Sequence, residues 1–286
     1  MLAQIIEATL VSTLDRLSNR EPVEVKDEWI EEAGEQFKAA LRKQFTVTDD
    51  GFTLRMSNIG RPLCQLQMAK SGVEGTRMTY NHVMRMLIGD AVEAILRVIM
   101  KAAKLPVTSD GDEVALNVGG HTITGTSDVD IDNEVYDIKT CSPWAFKNKW
   151  QNGWDGLYKN DEFGYVGQLY GYADAQNKEA GGWIVVDKSS GELTVVPAEP
   201  TQSQREAITH HINGNVRAIV NDEPFRRCFE AEAETYYGKP TGKTRLPKAC
   251  SFCSYIKACW PNAEYKAQEA SKAANPPYHW YVKDAG

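Results

Sequence analysis

The chain has 286 residues, enough to bury one sizeable core with helices appended to it. A formal net charge of −7 argues against a protein that coats nucleic acid indiscriminately. The start, Met1-Leu2-Ala3-Gln4, lacks a basic region followed by an apolar run, and no stretch is long enough to span a bilayer. The expected location is therefore a reducing cytoplasm, bacterial or phage-infected, where six cysteines stay free of disulfides.

Leu2–Ser18 and residues 26–45 read as amphipathic helices, broken at Arg20-Glu21-Pro22. Residues 49–51 are turn-like, and 57–64 lead toward the core. Residues 80–104 are apolar almost all the way round, which predicts a buried helix. Its polar exceptions, Asp90, Glu93 and Arg97, share a stripe at spacings of three and four. Glu93 and Arg97 have the spacing of a structural ion pair, and Glu93 equally has the chemistry of a metal ligand. Gly89, one turn earlier, suggests the close approach of another backbone or a substrate.

Glu113–Val118 and residues 121–125 predict strands joined at Gly119-Gly120. Residues 126–131 and 134–139 then alternate around Asp132-Asn133, residue types that tolerate a tight two-residue turn. Such a hairpin places Asp128 opposite Asp137, and Thr126 opposite Lys139. Asp128, Asp130, Asp137 and Lys139 fall on one face, while Val129, Ile131, Tyr136 and Ile138 fall on the core face.

Two carboxylates directly across an antiparallel pair repel each other, so this placement points to a cation between them. Hard oxygen ligands select Mg2+ or Mn2+ over zinc. Lys139, on the same face, could stabilise charge on a phosphate or hold an attacking water. A solvated polar hairpin face would carry the same pattern without chemistry.

The stretch Trp144-Ala145-Phe146-Lys147-Asn148-Lys149-Trp150, followed by Trp154 and Tyr158, mixes rings with cations. Trp144, Lys147, Lys149 and Trp150 could line a single-strand channel, with stacking worth about 1–3 kcal/mol per base. They could equally be an aromatic cluster covering the edge of the core. Residues 161–177 predict a helix on which Gln168 and Tyr172 lie one turn apart, able to hold a phosphate, a base edge or the lysine amine. Strands at 183–187 and Leu193–Pro197 and a helix over 201–220 follow.

Cys250-x-x-Cys253-x5-Cys259 supplies three thiolates, and Cys64 far upstream could supply a fourth. One-plus-three thiolates suit an iron–sulfur cluster, whereas zinc ligands more often arrive in two close pairs. Cys141 and Cys228 are expected to be small buried hydrophobes. Five basic residues and no acidic one fall between Lys239 and Trp260 (Lys239, Lys243, Arg245, Lys248, Lys257). The last residues, 262–286, could wrap the body or dock a partner.

Taken in chain order, Gly89-x-x-x-Glu93, Gly125-Thr126-Ser127-Asp128, Asp137-Ile138-Lys139 and Gln168-x-x-x-Tyr172 resemble the PD-(D/E)xK superfamily, specifically its RecB-like exonuclease branch. The cysteines resemble the subset with a [4Fe–4S] cluster, which includes AddB-type helicase–nucleases, CRISPR-associated nucleases and phage exonucleases. The likeness runs from about Ser57 to Trp260.

It implies an α/β fold with a restriction-endonuclease-like mixed sheet flanked by helices. The implied division is a helical region at 1–56, a nuclease core at 57–200, and a helical segment at 201–286 closed onto Cys64 by the cluster. Asp128, Asp137 and the Ile138 carbonyl would ligate Mg2+ or Mn2+, with Lys139 catalytic and Gln168 and Tyr172 orienting phosphate. Glu93 stands where relatives commonly carry His, so its role as a ligand departs from the commonest pattern.

The resemblance implies a DNA exonuclease acting on single-stranded DNA or free ends, in recombination, replication or DNA degradation. A recombination or single-strand-binding protein would be its partner. The alternatives are a spacer-trimming nuclease of CRISPR adaptation, an iron–sulfur module that binds DNA ends without cutting, and a structural protein stapled by zinc.

Overall fold

The computed structural model describes residues 1–46, 51–77 and 79–282; the expected turn at Asp49 and Asp50 lies outside them. In chain order come α1 (Leu2–Ser18), α2 (Asp27–Phe45), α3 (Met56–Ile59), α4 (Leu63–Lys70) and α5 (Tyr80–Ala102). Next are β1 (Val107–Ser109), β2 (Glu113–Val118), β3 (His121–Thr126), β4 (Val129–Ile131) and β5 (Glu134–Cys141). α6 (Pro143–Asn148), α7 (Gly153–Lys159) and α8 (Tyr165–Gln176) lead to β6 (Glu179–Asp187), β7 (Leu193–Pro197) and α9 (Gln202–Val220). The chain closes with β8 (Glu232–Tyr236), β9 (Lys239–Arg245), α10 (Ile256–Cys259), β10 (Ala263–Ala267) and β11 (Tyr278–Val282). The class is mixed α/β. Among the described residues no helix is long and apolar enough to cross a membrane.

The elements divide into two compact units. One comprises Met1–Asp50, Leu54–Gly60 and Met78–Val216; the other comprises Gly51–Thr53, Arg61–Arg77 and Arg217–Gly286. This differs from the division expected at 56/57 and 200/201. α1 is not part of a separate helical region, because Ala3, Ile6 and Leu10 bury against Val129, Ile131, Tyr136, Ile138 and Ile184. Residues three and four apart on a helix share one face, so α1 delivers all three side chains to the sheet together.

The first unit is built on a five-stranded sheet of order β1-β4-β5-β6-β7. β5 and β6 are parallel and the other pairs antiparallel. A parallel pair needs a crossover, and α6, α7 and α8 supply it. Asp132 and Asn133 turn β4 into β5 with φ of 51° and 66°, a left-handed pair that favours such residues. The register is the expected one: Val129 faces Tyr136, Asp130 faces Val135 and Ile131 faces Glu134.

Thr126 departs from expectation. It pairs with Glu113 in the separate β2–β3 hairpin and does not oppose Lys139. The chain breaks at Ser127, whose N–H donates to the Asp112 carbonyl (3.0 Å).

α8 begins on a cap made by Asp161, whose carboxylate accepts from the N–H groups of Tyr165 and Val166, both at 2.8 Å. Gly60 and Gly167 touch so closely that a Cβ on Gly167 would lie 2.4 Å from Gly60 Cα. α5 is less buried than its composition predicts, with Tyr80, Met84 and Ile95 exposed. It packs on α2 and β5, and the residues buried there are Ala94, Leu96, Arg97, Met100 and Ala102, all in its second half.

The second unit carries a four-stranded antiparallel sheet of order β10-β11-β9-β8. The helix expected over 201–220 is present as α9, but beyond it the expected helical segment holds this sheet and the short α10. Residues 278–282, left open as wrapping or docking, are the strand β11. Its small core gathers Leu246, Cys250, Ile256 and Ala263, with Trp260 and Trp280 packed against them.

Candidate metal centre and cysteine site

Alternation along β5 sends Tyr136 and Ile138 into the core under α1 and α5, and sends Asp137 and Lys139 to the opposite face. α8 packs on β5 and brings Tyr165 and Tyr172 toward them, with Gln168 hydrogen-bonded to Tyr172. Lys139 Nζ stands 2.6 Å from Asp137 Oδ2 and 5.4 Å from the centre of the Tyr165 ring.

Asp128 precedes β4 and so does not pair in the ladder with Asp137. It reaches across instead, its Oδ2 accepting the N–H of Ile138 at 2.7 Å. That bond fixes the Asp128 carboxylate beside Asp137 and anchors the β5 backbone between Asp137 and Lys139.

Asp137 is almost wholly buried, and its Oδ2 meets the Lys139 ammonium at 2.6 Å. Burial raises its pKa well above the usual carboxylate range, with Lys139 opposing and Asp128 adding to the rise. Burial works against the charge of Lys139, but Asp137 and Asp128 outweigh it and raise the lysine, which stays cationic. Burial also raises Tyr172, which shares a hydrogen bond with Gln168 and remains a neutral phenol able to donate.

Glu93 approaches from α5 and is pushed up to about 7, by burial first and then by the Asp128 charge. Arg97, itself buried, holds it. One guanidinium nitrogen, Nη2, donates to Glu93 Oε1 (2.6 Å) and to the Asp128 carbonyl (3.0 Å), and Nη1 pairs with Asp110 Oδ1 (2.7 Å). The expected ion pair and the expected ligand are thus the same Glu93. Arg97 also supports Asp128, a link that residue spacing could not have revealed.

Among the described residues no group of three His, Cys, Asp or Glu side chains is drawn together as a finished metal-binding set. A Mg2+ site does not need one, because that ion usually binds through one or two carboxylates together with waters and substrate phosphate. Two buried or half-buried hard-oxygen side chains, Asp128 and Asp137, fit that requirement. Asp130 and Asp132 stand apart from it. Asp130 is fully buried and pairs with Lys178 at 2.5 Å, and Asp132 lies in the turn.

The four residues expected to contact substrate separate into two kinds. Trp144 and Lys147 are exposed on α6. Trp150 and Lys149 are not available to a base, being 2% and 5% exposed. Trp150 stacks on Tyr165 and meets Trp183, and Trp154 stacks on Trp183 in the same cluster. Lys149 is absorbed by Glu162 (3.3 Å) and by the faces of Trp150, Phe163 and Tyr165. Cation–π contact lets a lysine bury among rings, so ring-and-lysine composition could not tell inside from outside.

In the second unit, Cys64 from the first turn of α4 meets Cys250, Cys253 and Cys259 at one small cavity. Cys228 lines the same cavity, and it is exposed, not the buried hydrophobe expected from sequence. Its sulfur accepts the N–H of Cys64 at 3.0 Å. A hydrogen bond from the Cys64 thiol lowers the Cys228 pKa to about 6. Arg227 closes one side, donating to the Cys259 carbonyl at 2.9 and 3.2 Å and lying 3.9 Å over the Trp260 ring. Cys141 is elsewhere and is buried, as expected.

No family model matches the sequence, and no curated protein matches it. Among solved structures, one described as the crystal structure of SSO0001 aligns with a TM-score of 0.42 at 14% identity, covering 78% of this chain and 93% of that one.

Proposed function

We propose that the chain is a metal-dependent deoxyribonuclease of PD-(D/E)xK type, an exonuclease of the RecB-like branch hydrolysing phosphodiester bonds at free or single-stranded DNA ends. The observation that carries this reading is the juxtaposition of Asp137 and the Lys139 amine on β5 with Asp128, which reaches across to the Ile138 N–H between them. The Asp128 charge makes ionisation of the buried Asp137 harder, and a divalent ion between the two acids would offset that repulsion beyond what Lys139 alone supplies.

Asp128, Asp137, the Ile138 carbonyl and Glu93 would hold Mg2+ or Mn2+, which supplies a Lewis acid for phosphate oxygens and an acidified water. Lys139 contributes a fixed positive charge toward the scissile phosphate, held in place by Asp137 and the Tyr165 ring. The Tyr172 phenol and the Gln168 amide offer hydrogen bonds to a phosphate oxygen from α8. Arg97 keeps Glu93 and the Asp128 backbone in register. Exposed Trp144 and Lys147 on α6 suit a single strand, ring to base and amine to phosphate.

The cysteine site fits a [4Fe–4S] cluster, since its cysteines can supply four thiolate ligands to iron and the Arg227 guanidinium close by would offset the negative charge they bring. Its role is a staple, tying the residues around Cys64 to the C-terminal sheet. A cytoplasmic setting, with a recombination or single-strand-binding protein as partner, accords with this reading.

The test is digestion of 5′- and 3′-labelled single- and double-stranded DNA with Mg2+ or Mn2+. Wild type should release short products from ends, and Lys139→Ala should lose about 10²–10³-fold in rate. Equal activity of wild type and Lys139→Ala would end the proposal.

A further inference from the structure

Five sulfurs, not four, surround the cavity of the second unit, and a four-thiolate centre has one too many. Cys250, Cys253 and Cys259 come from one short segment: Cys250 in the 3-10 turn Lys248–Phe252, Cys253 just after it, and Cys259 at the end of α10. All three line the cavity as a tripod. The fourth corner is contested. Cys64 enters from the buried side on α4, and Cys228 enters from the exposed side, close enough to take the Cys64 N–H on its sulfur at 3.0 Å.

Backbone N–H groups aimed at sulfur are the second-sphere contacts that stabilise a bound thiolate. Here that contact is made to Cys228. Arg227, the residue beside it, already brackets Cys259.

We propose that Cys228 is a ligand of this centre, interchangeable with Cys64 for its fourth position; this rests on the cysteine site holding an iron–sulfur cluster. The exchange breaks one iron–sulfur bond and forms another, with a proton passing from the incoming thiol to the outgoing thiolate. No electron is transferred. The centre therefore has an inner and an outer form, which differ in whether residues 61–77 or the segment at Cys228 is tied to the tripod.

The experiment is anaerobic reconstitution with ferrous iron and sulfide, followed by iron and acid-labile sulfide per chain and the visible absorption of the cluster. Wild type, Cys64→Ala, Cys228→Ala, Cys64→Ala/Cys228→Ala and Cys253→Ala are compared, with circular dichroism of each sample reporting fold. Each of the first two variants should keep about half or more of the wild-type iron and sulfide. The double variant and Cys253→Ala should fall to about a tenth or less.

Cys64→Ala and the double variant differ only at the exposed Cys228, and circular dichroism separates loss of its sulfur as a ligand from loss of fold. If Cys64→Ala unfolds, Cys64→Ser and Cys64→Ser/Cys228→Ala carry the same comparison. Folded Cys64 variants as empty as the double variant overturn the exchange alone, as does a double variant that keeps its iron. A wild-type chain that takes up no iron or sulfide overturns the cluster itself, and the exchange with it.

Discussion

Replacing Arg97 by alanine removes one guanidinium from three partners at once: Glu93 at 2.6 Å, Asp110 at 2.7 Å and the Asp128 carbonyl at 3.0 Å. Breaking a fully buried ion pair from one side destabilises by about 3–5 kcal/mol, because the remaining charge is left unpaired. Glu93 and Asp110 keep 34% and 19% of their side chains exposed, so water screens part of that loss. About 2 kcal/mol is the reasonable expectation. For a chain of this size, that lowers the melting temperature by about 4–8 °C, read by circular dichroism.

Arg97→Lys keeps the charge without the fork and should recover only part of the loss. The same variants should bind Mn2+ more weakly and cleave more slowly, since Glu93 and the Asp128 backbone lose their common anchor. A melting temperature within about 1 °C of wild type, with unchanged Mn2+ affinity, would refute the reasoning.

Gly167→Ala should destabilise by about 1–3 kcal/mol in denaturant titration, because its Cβ would meet Gly60 Cα at 2.4 Å with backbone on both sides. Trp150→Ala and Trp144→Ala should separate cleanly. The first, truncating a ring only 2% exposed, should cost about 3–5 kcal/mol of stability. The second, on a ring 58% exposed, should leave melting unchanged and weaken single-stranded DNA binding by about 1–3 kcal/mol in a fluorescence titration. Asp130→Asn should lower stability through loss of the Lys178 pair while leaving Mn2+ binding intact, in contrast to Asp137→Asn. A matched loss of Mn2+ in both would mean that Asp130 belongs to the site.

The turns were the most legible part of this fold, because few residue types accept positive φ in pairs. Asp132-Asn133 and Gly119-Gly120 both turn where the sequence puts them, and the first fixes the register that aims Asp137 and Lys139 away from the core. Alternation alone carried the pattern back to Thr126, but it contains no mark of where one hairpin yields to the next. The Ser127 to Asp112 bond decides that.

The acids at 128 and 137 do meet, by a side-chain reach to the Ile138 N–H and not by strand pairing. The C-terminal sheet was hidden because β8 and β9 are polar and lie half in solvent, leaving little apolar alternation to read. Cys228 was missed because it stands outside any spacing shared with Cys250, Cys253 and Cys259. Only folding brings it to Cys64.

The claim on which the rest depends is that Asp128 and Asp137 jointly hold a divalent ion. Calorimetric titration of Mn2+ into the full chain addresses it without any assumption about substrate. Saturable binding in wild type that disappears in Asp128→Asn and in Asp137→Asn, while both variants stay folded, is the predicted result. Undiminished binding in both variants would contradict it.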